Sequence, residues 1–152
     1  MPQTKVQCQV NLAESGAKRM LRTVDRIFAV LLALAACGHT VGTVLWTQPM
    51  SSIFIWSLGS SLAAGLLATL NFVRAGRPDD KTLAVITAVG TTCWAFVAFA
   101  FGVSIHNVFD PRPLGHVVIS IVLVIFSAIS LLQKHAKASP AGFPAVVANK
   151  HG

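Results

Sequence analysis

The sequence has few charged residues for its length. Asp, Glu, Lys and Arg together make up 11% of the chain, whereas hydrophobic residues make up 54%. Soluble domains average about 25% charged residues, so this composition excludes an ordinary soluble domain. Mean hydropathy is also high, at +0.68. We therefore expect a membrane protein.

Cysteine is scarce as well, and its number is odd. The chain has 3 cysteines, which cannot form a complete set of pairs. Cys37 and Cys93 fall inside long apolar stretches, where cysteine behaves as a small hydrophobic residue. These positions argue against a structural disulfide.

The motifs that usually accompany enzymatic or transport chemistry are absent. There is no Walker A motif, no His-Glu-x-x-His and no Gly-x-Ser-x-Gly. The predicted spans contain neither the carboxylates and arginines of ion pumps nor the proline-broken half-helices of transporters. The sequence therefore leans against an enzyme, without excluding one.

The chain does have four long apolar stretches, all free of Lys, Arg, Asp and Glu. They cover residues 27–46, 53–73, 83–105 and 114–132. About 20 helical residues cross a hydrocarbon core of roughly 30 Å, and helices satisfy their own backbone hydrogen bonds in lipid. With short connections between the stretches, the sequence predicts an all-α bundle of four transmembrane helices.

Three segments follow from this pattern. Residues 1–26 form a cytoplasmic N-terminal segment, loose or lying on the membrane surface at first, with a short helical lead-in over 17–26. Residues 27–132 form the four-helix transmembrane domain. Residues 133–152 are rich in Ala, Pro and Gly and are predicted to be a disordered cytoplasmic tail.

The basic residues sort to one side of the predicted bundle. All 12 Lys and Arg residues except Arg112 fall in the N-terminal segment, the loop at 74–82 or the tail. The positive-inside rule then predicts both termini in the cytoplasm, in the inner membrane if the source is bacterial. Because the basic residues are spread over three segments, they indicate topology and contact with anionic lipid rather than nucleic-acid binding.

Part of the first span can also be interpreted as a targeting signal. Leu34-Ala35-Ala36-Cys37 follows a basic lead and an apolar run, as in a lipoprotein signal cleaved before the cysteine. The apolar stretch continues to Trp46, which is longer than the apolar region of a signal peptide. We therefore expect an uncleaved transmembrane helix.

Small and polar residues recur at the helical period within each span. The predicted inward stripe of the second span is Ser57, Ser61, Ala64, Ala68 and Asn71, and that of the third is Ala88, Thr92, Ala95, Phe99, Gly102 and His106. Such stripes are typical of helix packing in membranes. Polar residues concentrate toward the outer side: His39, Thr43, Ser57, Ser61, His106, Asp110, Arg112 and His116.

Two interpretations of these outer polar residues stay open. They would line a polar pocket that opens outward, because ionisable residues within a span, such as His39, are functional candidates by default. Alternatively, the bundle is closed and dry, and His39 bonds to one neighbour.

No metal or cofactor is predicted. His106, Asp110 and His116 are suitable residue types for zinc, but their spacing is not diagnostic. Haem between facing histidines needs two ligands at one depth, and His39 has no such partner in the sequence pattern. Ligation by His39 alone, or a quinone beside it, keeps a redox alternative open.

The run Cys37-Gly38-His39-Thr40-Val41-Gly42, followed by a second span that carries Trp56, resembles a group of small uncharacterised bacterial membrane proteins. That group is similar to the DoxX-like proteins in size and four-helix topology, and the resemblance covers residues 22–133. It implies a four-helix fold in a bacterial inner membrane, and it brings no catalytic residue.

The leading hypothesis is therefore a small integral membrane protein without a catalytic site. It would be an accessory subunit of a larger membrane complex or a homo-oligomer that associates through lipid-facing surfaces. One alternative is a quinone- or haem-binding redox subunit that uses His39. Another is a small-molecule or lipid carrier with an outer-facing polar pocket.

Overall fold

The chain folds into four helices. A computed structural model describes the backbone of residues 3–133 and, from residue 14 onward, their side chains. The helices are α1 (Gln3–Trp46), α2 (Ser52–Gly76), α3 (Lys81–Ser104) and α4 (Pro111–Leu132), and the described backbone contains no strand. Each helix is long and apolar enough to cross a membrane. The all-α class and four helices of spanning length and hydrophobicity are thus confirmed, while the tail beyond residue 133 lies outside the described residues.

Helix α1 is longer than the sequence pattern predicts. It runs without interruption from Gln3 to Trp46, whereas the sequence predicts a loose start and a short lead-in helix. No proline interrupts residues 3–46, so nothing in this segment prevents a helix from continuing. Residues 14–46 alone extend about 50 Å at 1.5 Å per residue, against a hydrocarbon core of roughly 30 Å. α1 is therefore longer than the hydrocarbon core is thick.

The bundle is built from two helix pairs. α1 packs mainly against α2 and α3 mainly against α4, and contacts of α1 with α4 and of α2 with α3 bring the pairs together. The short connections at 47–51, 77–80 and 105–110 make successive helices antiparallel. We call the end with loops 47–51 and 105–110 the loop end, and the end with loop 77–80 the basic end.

Side-chain caps fix the starts of three helices. Ser51, Asp80 and Asp110 each accept a backbone N–H of the following first turn, at 3.2, 2.9 and 3.0 Å. Pro111 follows Asp110 at the first position of α4, where its missing N–H costs no hydrogen bond. These caps satisfy donors that a helix end otherwise leaves unpaired.

The buried positions confirm four of the five predicted stripe residues of α2, where Ser57 is half-buried, and correct the stripe of α3. Ser61, Ala64, Ala68 and Asn71 are all buried. In α3 the buried residues are Ala84, Thr87, Thr91, Ala98 and Gly102, and Phe99 is 52% exposed. Ala88, Thr92 and Phe99 each follow a buried residue by one position, or about 100° around the helix, and the predicted His106 is exposed beyond the end of α3. α3 is apolar on nearly every side, so periodicity alone did not identify its inner face.

Candidate functional site

Two of the three hydroxyl groups predicted to line an outer pocket, those of Thr43 and Ser61, bond within their own helices. Thr43 is buried, and its Oγ1 donates to the backbone oxygen of His39 at 2.8 Å. Ser61 is also buried and donates to the backbone oxygen of Ser57 at 3.1 Å. Such bonds to the preceding turn satisfy a hydroxyl without any ligand.

Asp110 and Arg112 form an ion pair at the surface of the loop end. Arg112 Nε donates to Asp110 Oδ1 at 2.9 Å and Nη2 to Oδ2 at 2.8 Å, while the Arg112 side chain is 74% exposed. These hydrogen bonds lower the pKa of Asp110 to about 2. The pair secures the start of α4, since the same carboxylate caps that helix.

His39 and His116 approach each other from facing helices α1 and α4. Both are half-buried, and the two helices that carry them contact each other. His106 lies apart, on an exposed position with a positive φ of 54°. Of the eight predicted residues, the structure pairs Asp110 with Arg112 and places His39 and His116 on contacting helices.

Trp94 is a member of this region that the sequence did not indicate. Its Nε1 donates to His116 Nδ1 at 3.3 Å, and the two rings meet edge to face with centroids 5.6 Å apart. Because a tryptophan N–H can only donate, His116 Nδ1 must be unprotonated. A neutral His116 then carries its proton on Nε2, so that nitrogen has no lone pair for a metal or haem iron.

The candidate metal ligands do not form a metal site. Among the side chains that the structure describes, no group of three or more His, Cys, Asp or Glu residues could hold a metal ion. His106, Asp110 and His116 are thus separate features.

The most extensive buried polar site is at the basic end, and the sequence pattern missed it. Arg74 Nη2 and Asp25 Oδ1 are 2.6 Å apart, with side chains 0% and 8% exposed. Arg74 also donates through Nη1 to Ser130 Oγ and through Nη2 to Asn71 Oδ1, both at 3.3 Å. One guanidinium group therefore connects α1, α2 and α4.

Further polar contacts extend this network to α3. Asn71 Nδ2 donates to Thr91 Oγ1 at 2.9 Å, and the hydroxyls of Thr87 and Ser127 are 3.1 Å apart. Lys81 Nζ donates to the backbone oxygens of Leu131 at 3.0 Å and Gln133 at 2.7 Å. A lysine at a helix C-terminus satisfies free carbonyls and complements the helix dipole. All four helices are therefore tied together near the basic end.

The depth of Arg74 explains both its role and why it was missed. Arg74 lies about 33 Å along α2 from Ser52 at 1.5 Å per residue, near the edge of the hydrocarbon core. The sequence assigned it to the loop at 74–82, while α2 continues to Gly76. Arg74 follows Asn71 by three positions, so it continues the inward stripe of α2. That spacing was the signal that could have identified it.

No family model matches the chain, and neither a curated protein nor a solved structure is similar enough to count as a match. The resemblance to DoxX-like proteins therefore stays a prediction.

Proposed function

We propose that this chain is a non-catalytic integral membrane protein that associates with other membrane-spanning chains through the outer faces of α1 and α2. The partner is a second copy of the chain or another subunit of a larger complex. The observation that carries the proposal is a pair of outward glycines, Gly38 in α1 and Gly59 in α2. Both are exposed, and a Cβ added at either would meet nothing within 4 Å.

These glycines have no packing role in the chain itself. Glycine costs a helix about 1 kcal/mol relative to alanine, and close internal packing does not require it at these two positions. Small residues on a lipid-facing surface let a second helix approach closely. Gly38 and Gly59 also lie at similar depth, about 11 Å from the loop end at 1.5 Å per residue. Both glycines are on outer faces of the neighbouring helices α1 and α2, and we call these two outer faces the α1–α2 face.

The interior supports a structural rather than a catalytic role. Except for Arg74 Nε, the polar groups of the network at the basic end bond to one another across the helices, and those at the loop end bond largely within their own helices. Groups so occupied would have to break their hydrogen bonds before they could bind a substrate, which costs about 1–3 kcal/mol for each buried group left unpaired.

Oxidative crosslinking in native membranes tests self-association at the α1–α2 face. Cys37 precedes Gly38 and is exposed, and exposed Cys93 on α3 provides a matched control. With Cys8 replaced by Ser, we expect a disulfide-linked dimer from Cys37 alone and none from Cys93 alone. A disulfide requires Cα atoms about 4.4–6.8 Å apart, so the product reports close approach of two α1 helices. Equal dimer from both cysteines would contradict an α1–α2 interface.

A substitution series assigns the contact to the glycines. Gly38→Leu and Gly59→Leu should abolish the Cys37 disulfide because the larger side chains hold the helices apart. Gly115→Leu is the control, since a Cβ at this glycine of α4 also meets nothing within 4 Å. Loss of the disulfide in all three variants would point to a general defect and against this surface.

We further propose that both termini face the cytoplasm and, in a bacterium, that the bundle lies in the inner membrane. The proposal is supported by the charge pattern, in which Arg112 is the exception among the 12 Lys and Arg residues. Reporter fusions after residues 50 and 112 should behave as exported, and fusions after 78 and 140 as cytoplasmic. An exported fusion at 140 would contradict this orientation.

A ligand-binding redox subunit is the second candidate, favoured by two half-buried histidines, His39 and His116, on the contacting helices α1 and α4. The proton on His116 Nε2 opposes haem ligation by that residue, but it suits donation to a quinone carbonyl. A visible spectrum of the purified protein tests for haem, and extraction of the purified protein tests for quinone. If His39 holds such a group, His39→Leu should remove it without a large change in thermal stability. A colourless, quinone-free protein would exclude this candidate.

A further inference from the structure

A small cavity lies at the basic end, beside the Asp25–Arg74 pair and between α1, α2 and α4. Its volume is about 50 Å³. A single water needs about 10–15 Å³ of such volume, so the cavity can hold a group of roughly phosphate size. Basic side chains (Lys18, Arg22 and Arg74) and apolar ones (Phe126 and Ile129) contribute to its lining.

The charges around the cavity favour an anion. Lys18, Arg22 and Arg74 line it against one carboxylate, Asp25. The negative charge of Asp25 is already balanced by Arg74, whose Nη2 lies 2.6 Å from Asp25 Oδ1. Lys18 forms an ion pair with Glu14, also at 2.6 Å, on the exposed surface of α1. Arg74 Nε is buried and has no hydrogen-bond partner in the part of the chain that the structure describes. The cavity therefore has cationic groups that can still donate hydrogen bonds to an anion.

The position of the cavity points to the membrane interface. Lys18 and Arg22 lie about 42 and 36 Å along α1 from Trp46 at 1.5 Å per residue, farther than a hydrocarbon core of roughly 30 Å is thick, whereas Phe126 and Ile129 lie in the last turns of α4. A ligand here meets cationic groups on one side and apolar groups on the other. Phospholipids have this same division between head group and acyl chain.

We propose that the cavity binds the phosphate group of an anionic phospholipid. Arg and Lys form charge-assisted hydrogen bonds with phosphate oxygens, and basic pockets between transmembrane helices are suited to phospholipid head groups. Free inorganic phosphate shares this chemistry, but it would make no use of the apolar wall.

Native mass spectrometry of the full-length protein in detergent tests the proposal. Phosphatidylglycerol and phosphatidylcholine are titrated separately, and we expect a preference for phosphatidylglycerol. Arg22→Gln and Lys18→Gln should each weaken phosphatidylglycerol binding about fivefold, the effect of one basic residue near a membrane surface. Arg19→Gln is the matched control because Arg19 is exposed on the same helix but does not line the cavity. It should leave binding unchanged.

Two results would overturn the proposal. Equal binding of the two lipids, or equal weakening by Arg22→Gln and Arg19→Gln, would show that the cavity does not select the head group. A separate titration with inorganic phosphate, followed by thermal unfolding, distinguishes the sources. If inorganic phosphate raises the unfolding temperature of wild type but not of Arg22→Gln, and phosphatidylglycerol is not preferred over phosphatidylcholine, the cavity is a site for free phosphate and not for a lipid. Arg22 is exposed, so its substitution should leave the bundle folded.

Discussion

Removing Arg74 should destabilise the bundle more than removing Arg74 and Asp25 together. Arg74→Met deletes the partner of Asp25 at 2.6 Å and the donors to Ser130 and Asn71, each at 3.3 Å. It leaves a carboxylate that is 8% exposed without a cation. Breaking a buried ion pair costs about 3–5 kcal/mol, and replacing both partners by apolar residues is often neutral. Because the pair lies near the edge of the hydrocarbon core, we expect a loss of about 3 kcal/mol.

A double-mutant cycle measures this effect. The free energy of unfolding is determined for wild type, Arg74→Met, Asp25→Leu and the double variant, in mixed micelles with increasing SDS. Each single variant should lose about 3 kcal/mol, and the double variant should lie within about 1 kcal/mol of wild type. The coupling energy would thus be several times that of an ordinary hydrogen bond in a membrane protein.

The exposed pair of Glu14 and Lys18 is the matched control. Its atoms are also 2.6 Å apart, but both side chains are 60% exposed. Exposed pairs contribute little to stability, so Glu14→Gln should leave the free energy of unfolding unchanged. Two results would contradict a stabilising role for the buried pair. Arg74→Met could also leave the free energy of unfolding unchanged, or the losses of the two single variants could simply add in the double variant.

Further contacts give separate expectations. Thr87→Val and Ser127→Ala should show a coupling energy of about 0.6 kcal/mol in a double-mutant cycle, the average for hydrogen bonds between membrane helices. Lys81→Met should lower the free energy of unfolding by about 1 kcal/mol in the same SDS assay, because the last carbonyls of α4 lose a cation. The pKa of Asp110 falls from 3.8 to about 2 in the folded chain, so its stabilising effect is complete above pH 4 and disappears as the pH falls through 2. Thermal unfolding of wild type and Asp110→Asn should therefore differ at pH 5 and converge near pH 2.

Hydrophobicity predicted the spans because a membrane helix must be apolar over most of its length. It predicted the inner face of α2 as well, since Ser61 and Asn71 contrast with the leucines around them. α3 offers no such contrast, and its inner face depends on which hydroxyls meet partners on other helices, as Thr87 meets Ser127. Such pairing depends on the tertiary structure, so the sequence of α3 alone does not reveal it.

The ends of the helices were harder to predict than their centres. A charge near a span boundary is compatible with a loop, so Arg74 and Asp25 were assigned to segments outside the membrane. The structure places them in α2 and α1 and joins them across the bundle. At the loop end, the contact of Trp94 with His116 is likewise a pairing between helices that neither sequence segment indicates.

Native mass spectrometry of the protein released from its own membranes in mild detergent tests the proposed function most directly. One chain has a mass of 16.1 kDa. We predict an assembly heavier than one chain, either a multiple of this mass or this chain with a second membrane protein. The Gly38→Leu, Gly59→Leu double variant should appear as a single chain under the same conditions. A wild-type protein found only as one chain, or an assembly unchanged by the double variant, would contradict association through the α1–α2 face.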